Sequence, residues 1–201
     1  RRPVKEFDIL AFTLQYELTY TNVLNMMELA GVTLLAAERG NEEPVVIGGG
    51  PCAFNPEPVA AFFDLIVVGE GEEVIHELLD VFIRAKRDGN DRQNFLREAA
   101  EITGVYIPGF YRVNYSSDGR GAGIQPAVPG IPERVTKRVV SNLDAASFPV
   151  RPIVPWVEAV HDRGMIEVFR GCTRGCRFCQ AGIIYRPVRE KYYHIDRSLR
   201  T

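Results

Sequence analysis

Three of the chain's four cysteines fall within eight residues, in Arg170-Gly171-Cys172-Thr173-Arg174-Gly175-Cys176-Arg177-Phe178-Cys179. Three thiolates on one loop can each hold one iron of a cubane [4Fe–4S] cluster, which leaves the fourth iron without a protein ligand. The competing chemistry is zinc, whose fourth ligand would have to come from Cys52, His76, His161 or His194. Gly171, Gly175 and Gly182 allow the backbone to turn tightly around bound sulfur. Arg170, Arg174 and Arg177 offset the negative charge that thiolates and sulfide bring. Crowded thiols in a chain with no export signal point to a reducing, cytoplasmic setting rather than to disulfides.

Cys-x3-Cys-x2-Cys with an aromatic directly before the last cysteine, here Cys172, Cys176, Phe178 and Cys179, resembles the signature of the radical S-adenosylmethionine (SAM) superfamily. The resemblance implies a [4Fe–4S] cluster on the three cysteines, with the amino and carboxylate groups of SAM on the remaining iron. One electron, from a donor such as flavodoxin or ferredoxin, would cleave SAM to methionine and a 5′-deoxyadenosyl radical that takes hydrogen from a substrate the sequence does not name. Phe178 would lie near the adenine. In such enzymes the cofactors carry the hard chemistry, and the protein supplies ligation, orientation and exclusion of water. Beside this reading stands a zinc-stabilised binding module whose basic tail contacts nucleic acid.

The elements that must position this loop begin with a strand–helix alternation. Phe7–Thr13, Pro44–Ile47 and Asp64–Val68 read as buried strands, and Glu17–Ala30, Pro56–Phe63 and Glu72–Lys86 as helices between and after them. Such alternation predicts a parallel sheet covered on both faces. Arg92–Ile102 reads as one more helix and Val105–Tyr115 as strand or hairpin. Ser116–Pro132, rich in Gly, Pro and Ser, reads as linker, and Arg134–Val140 as an isolated strand. Phe148–Pro155 holds three prolines and suits neither a helix interior nor a central strand. Met165–Phe169 is an apolar strand leading into the cysteines.

A parallel α/β unit ahead of the cysteine signature resembles the cobalamin-binding-domain class of radical SAM proteins. Phe7–Leu10, Leu14–Leu18, Gly48–Pro58, Gly69–Glu73 and Tyr185–Glu190 look like an uncharacterised bacterial family of that architecture. The resemblance makes Thr13, Gly48 and Gly49 candidate cobalamin contacts, with Thr13-Leu14-Gln15 in the Ser-x-Leu place and Gly48-Gly49 as the glycine pair. It also places the loop after the first strand of a partial (β/α)6 barrel. The expected fold is therefore α/β: the C-terminal part of a cobalamin-binding-like Rossmann domain, a partial doubly wound parallel sheet, over residues 1–110. A linker with short strands follows over 111–160, then the start of a radical SAM barrel with the [4Fe–4S] loop over 161–201. Three strands are few for a free-standing doubly wound sheet, so further sequence is expected on both sides.

Charge divides along the same line. Residues 1–110 carry 9 Lys/Arg against 18 Asp/Glu, residues 111–163 carry 7 against 5, and residues 164–201 carry 8 against 3. The net charge of −2 predicts no global attraction to nucleic acid or anionic membrane, and the basic segment has a local partner in an anionic cluster. No stretch approaches the ~20 apolar residues of a membrane span. Cys52 reads as a small buried thiol, His76 as a residue of an amphipathic helix, and Glu70, Glu72 and Glu73 as carboxylates suited to a helix start. Arg186 and Arg189 read as ion-pair residues or as contacts to the SAM carboxylate.

Overall fold

Val45-Val46-Ile47 and Leu65-Ile66-Val67 are apolar at every position, so strands built from them need cover on both faces. The computed structural model, which describes residues 2–147, 156 and 166–192, builds them in that way. Strands β1 (Ile9–Thr13), β2 (Val45–Gly49) and β3 (Leu65–Val67) run parallel, and β4 (Val105–Tyr106) lies antiparallel beside β3, in the order β1-β2-β3-β4. Side-chain alternation sends Val45, Ile47, Leu65 and Val67 to one face, against helices α2 (Gly71–Arg87) and α3 (Arg92–Ala99). Val46 and Ile66 point to the other face. There α1 (Tyr20–Leu29) contributes Val23 and Met27, and the segment after β2 contributes Cys52, Ala53 and Phe63.

The amino ends of β2 and β3 are tied by a buried ionic knot. One Asp64 carboxylate oxygen accepts from Arg39 Nη1 at 2.6 Å and from the Val46 amide at 2.7 Å, and Arg92 Nη1 stands 3.0 Å from it as an ion-pair partner. Arg39 also donates to the carbonyls of Thr33, Leu34 and Phe62, and Arg92 to those of Gly40 and Glu43. A charge this deep persists only when partners surround it.

Several elements depart from the sequence expectation for local reasons. Glu17–Thr19 is a 3-10 turn ahead of α1. The helix expected over Pro56–Phe63 is reduced to one 3-10 turn, Ala60–Phe62, and another, Pro51–Phe54, precedes it. Pro51, Pro56 and Pro58 lack the amides that an α-helix would use. The expected linker contains a strand: β5 (Tyr111–Tyr115) pairs antiparallel with β6 (Gly121–Pro126). The Ser116-Ser117-Asp118-Gly119 turn closes this hairpin, with Gly119 at φ +78° and the Ser116 amide donating to the Arg120 carbonyl at 2.8 Å. Within Arg134–Val140 the only sheet pairing among the described residues is a parallel bridge between Arg138 and Gly69. Phe148–Pro155 lies outside the described residues.

The chain divides into two units, Arg1–Val139 and Val140–Thr201. In the second, β7 (Phe169–Arg170) pairs antiparallel with β8 (Arg189–Glu190), and α4 (Ala181–Ile184) lies between them in sequence. Strand β7 occupies only the end of the expected Met165–Phe169 strand, and Met165 lies outside the described residues. Among the described residues no helix is long and apolar enough to cross a membrane.

Candidate functional site

Parallel α/β sheets bind ligands at the carboxyl ends of their strands, and the candidate cobalamin residues stand there. Gly48 lies at the end of β2, and a Cβ on it would sit 3.1 Å from the Phe63 ring. Phe63 is 1% exposed, so the space a missing side chain leaves at Gly48 is filled by the protein's own core. Gly50, at φ +95°, is the glycine the turn requires: a Cβ there would meet the Leu14 carbonyl oxygen at 3.0 Å. The ends of β1 and β2 are stitched together by Leu14 donating to Gly49 and Cys52 donating to Leu14, at 2.7 and 3.1 Å. Thr13 is exposed, and Gly49 has room for a Cβ, with its nearest neighbours at 3.9 Å or more.

At β3 the chain covers its own sheet edge. The Arg138 amide donates to Val68 at 2.9 Å, and its carbonyl accepts from Glu70 at 3.0 Å. A Cβ on Gly69, whose φ is +112°, would stand 2.2 Å from that carbonyl oxygen. The Arg138 guanidinium reaches Glu73 and Glu77 of α2 at 2.7 and 2.6 Å. A cobalamin cradle needs glycines whose missing side chains leave space for the ligand. Of the three candidates, Gly48 has that space filled by Phe63, whereas Gly49 has room for a Cβ and Thr13 is exposed.

The cysteines lie in the second unit, on the loop between β7 and α4. Gly171 at φ +91° and Gly175 at φ +65° turn the backbone ahead of Cys172 and Cys176. Cys176 is exposed, Cys172 and Cys179 are half-buried, and all three are free thiols. The Arg174 amide donates to Cys172 Sγ at 3.5 Å, and the Cys179 amide to the Cys176 carbonyl at 3.1 Å. Phe178 is 92% exposed, so it packs into no core. Among the described residues no three His, Cys, Asp or Glu side chains converge as a ready metal site. In type, number and spacing, three unpaired thiols on one glycine-hinged loop fit the three irons of a cubane cluster.

Cys52 is 7% exposed in the core of the first unit. Burial, together with the adjoining Cys52 thiol, pushes the Tyr20 hydroxyl up to about 12. His76 is exposed on α2, and His161 and His194 lie outside the described residues. Arg170, expected to face the cluster, pairs with Glu167 at 2.7 and 2.9 Å. Sequence reasoning missed Arg39, Asp64, Arg92 and Arg138 altogether. The only signal was an acidic residue opening an otherwise apolar strand.

An α/β unit whose sheet is covered on both faces, ahead in sequence of a three-cysteine loop, defines the class. Residues 1–108 match the family described as radical SAM proteins, N-terminal, and the chain belongs to that family. That match ends before the cysteine loop. An uncharacterised protein of Methanocaldococcus jannaschii is 27% identical over 187 residues, covering 92% of this chain and 33% of that protein. The chain thus spans about a third of the length of the curated relative it matches. No solved structure matches the chain. The family implies, in general, an enzyme that uses a [4Fe–4S] cluster and SAM.

Proposed function

We propose that this chain carries the cofactor loop of a radical SAM enzyme, with Cys172, Cys176 and Cys179 each holding one iron of a [4Fe–4S] cluster. The observation that carries the reading is the set of three free thiols at this spacing in a chain of the radical SAM family. When bound, the cluster and SAM supply one-electron cleavage to methionine and a 5′-deoxyadenosyl radical, which takes hydrogen from a substrate. The chain's own residues bind and orient. Gly171 and Gly175 bend the loop, and the Arg174 amide donates to sulfur. Phe178 offers an exposed aromatic face to the adenine, a contact in which ring area is covered without disturbing a core. The electron comes from a flavodoxin or ferredoxin type of donor. Cobalamin-linked methyl transfer would need Thr13, Gly48 and Gly49 to hold that cofactor, and of these Gly48 has its space filled by Phe63.

The test is anaerobic purification with iron, sulfide, zinc and cobalamin measured together, followed by addition of SAM and reductant. About four iron and four sulfide per chain, with 5′-deoxyadenosine released, is the expected result. Zinc without iron, together with salt-sensitive binding of nucleic acid, contradicts it.

A further inference from the structure

The segment Tyr185-Arg186-Pro187-Val188 has no part in the reading above, yet it closes on the cysteine loop. Gly171 directly precedes Cys172. A Cβ there would stand 2.8 Å from the Tyr185 carbonyl oxygen, 2.9 Å from Val188 Cα and 3.0 Å from the Pro187 carbonyl oxygen. Gly175 directly precedes Cys176, and Arg186 Nη2 lies 3.8 Å from the place its Cβ would occupy. The turn therefore packs against the backbone ahead of Cys172 and brings a guanidinium beside Gly175, ahead of Cys176. The turn is itself held: Arg189 donates to the Pro187 carbonyl at 3.2 Å and to the Val140 carbonyl at 2.6 Å.

We propose that Arg186 is a positioning residue that raises the reduction potential of the cluster on Cys172, Cys176 and Cys179. The proposal rests on the cluster reading above. Reduction adds one negative charge to the cluster. A cation held beside the loop stabilises the reduced form more than the oxidised one, and net charge is among the factors that set such potentials. Arginine suits the task because it stays charged at any working pH. Arg186 is exposed, so solvent and salt screen part of the effect.

The test is a redox titration of the reconstituted protein, followed by EPR without SAM, for wild type, Arg186→Gln and Arg186→Lys. Arg186→Gln is expected to keep its iron and to titrate at a lower potential than wild type, with the gap narrowing as salt is added. Arg186→Lys is expected to stay near wild type. Equal potentials for wild type and Arg186→Gln overturn the proposal. So does an Arg186→Lys potential as low as that of Arg186→Gln, because shape rather than charge would then be responsible. Should Arg186→Gln lose its iron, Arg186→Lys decides: full iron at the wild-type potential supports the proposal, and a lowered potential overturns it. Failure of the wild type to form any cluster strikes the function reading instead.

Discussion

In the first unit Leu14, Met27, Phe63, Leu65 and Ile66 are each at most 1% exposed, and its glycines at 48, 50 and 69 are hemmed in by neighbours. In the second unit the buried apolar side chains among the described residues are Val140, Leu143 and Ile184, while Phe178, Ile183 and Ile166 stand 92%, 72% and 67% exposed. Close packing in the first fixes one conformation. The second keeps Cys176 and Phe178 open to solvent, with Cys172 and Cys179 half-buried. Stability and chemistry thus sit on different parts of the chain, and substitutions should separate them.

The largest separation is expected from Cys176→Ala. It should abolish the cluster's absorbance and EPR signal while moving the urea unfolding of the first unit by less than about 0.5 kcal/mol, as for other solvent-facing changes. A large loss of stability would break the comparison. Asp64→Ala should do the reverse. It leaves the Arg39 and Arg92 guanidinia buried without their carboxylate, at a cost of about 3–5 kcal/mol in urea unfolding, with iron content unchanged in the folded fraction. Gly69→Ala should cost about 2–3 kcal/mol, because the residue stands at φ +112° against the Arg138 carbonyl. Gly71→Ala has nothing within 4 Å of its Cβ and serves as the control, within about 0.5 kcal/mol of wild type. Similar effects at the two glycines would mean that Arg138 does not cover the sheet edge.

The smallest effect is pH-dependent. Burial opposes the charge on Glu43, but hydrogen bonds from the Thr33 and Gly40 amides, with Arg39 nearby, outweigh it and hold the carboxyl below its usual range. A depressed folded value contributes stability above the unfolded value, and that stability is lost as pH falls through the folded one. Wild type should therefore exceed Glu43→Gln by about 1 kcal/mol near neutrality and converge with it in acid. A difference that does not change between about pH 7 and pH 3 contradicts the assignment.

The parallel strands were legible because a run such as Val45-Val46-Ile47 has one physical solution, cover on both faces. Helix α2 was legible within one residue at each end, since Val74, Leu78 and Ala85 repeat on one stripe and bury together. Strand β6 was not. Gly121-Ala122-Gly123-Ile124-Gln125-Pro126 has little intrinsic strand preference and takes its conformation from pairing with β5. Gly48 was legible as a special position, but sequence does not distinguish space for a ligand from space for Phe63. The crowding of three cysteines was visible in the sequence, and their reading as a cluster site came from resemblance to a family signature. The cation beside Gly175 was not legible, because the turn that returns Arg186 to the loop is a tertiary event.

The central claim is that the loop of Cys172, Cys176 and Cys179 holds an iron–sulfur cubane. Anaerobic reconstitution followed by dithionite reduction and EPR tests it most directly. The account predicts a reduced [4Fe–4S] signal in the wild type that is absent in Cys176→Ala. A wild-type protein that binds no iron, or a signal that survives Cys176→Ala undiminished, contradicts it.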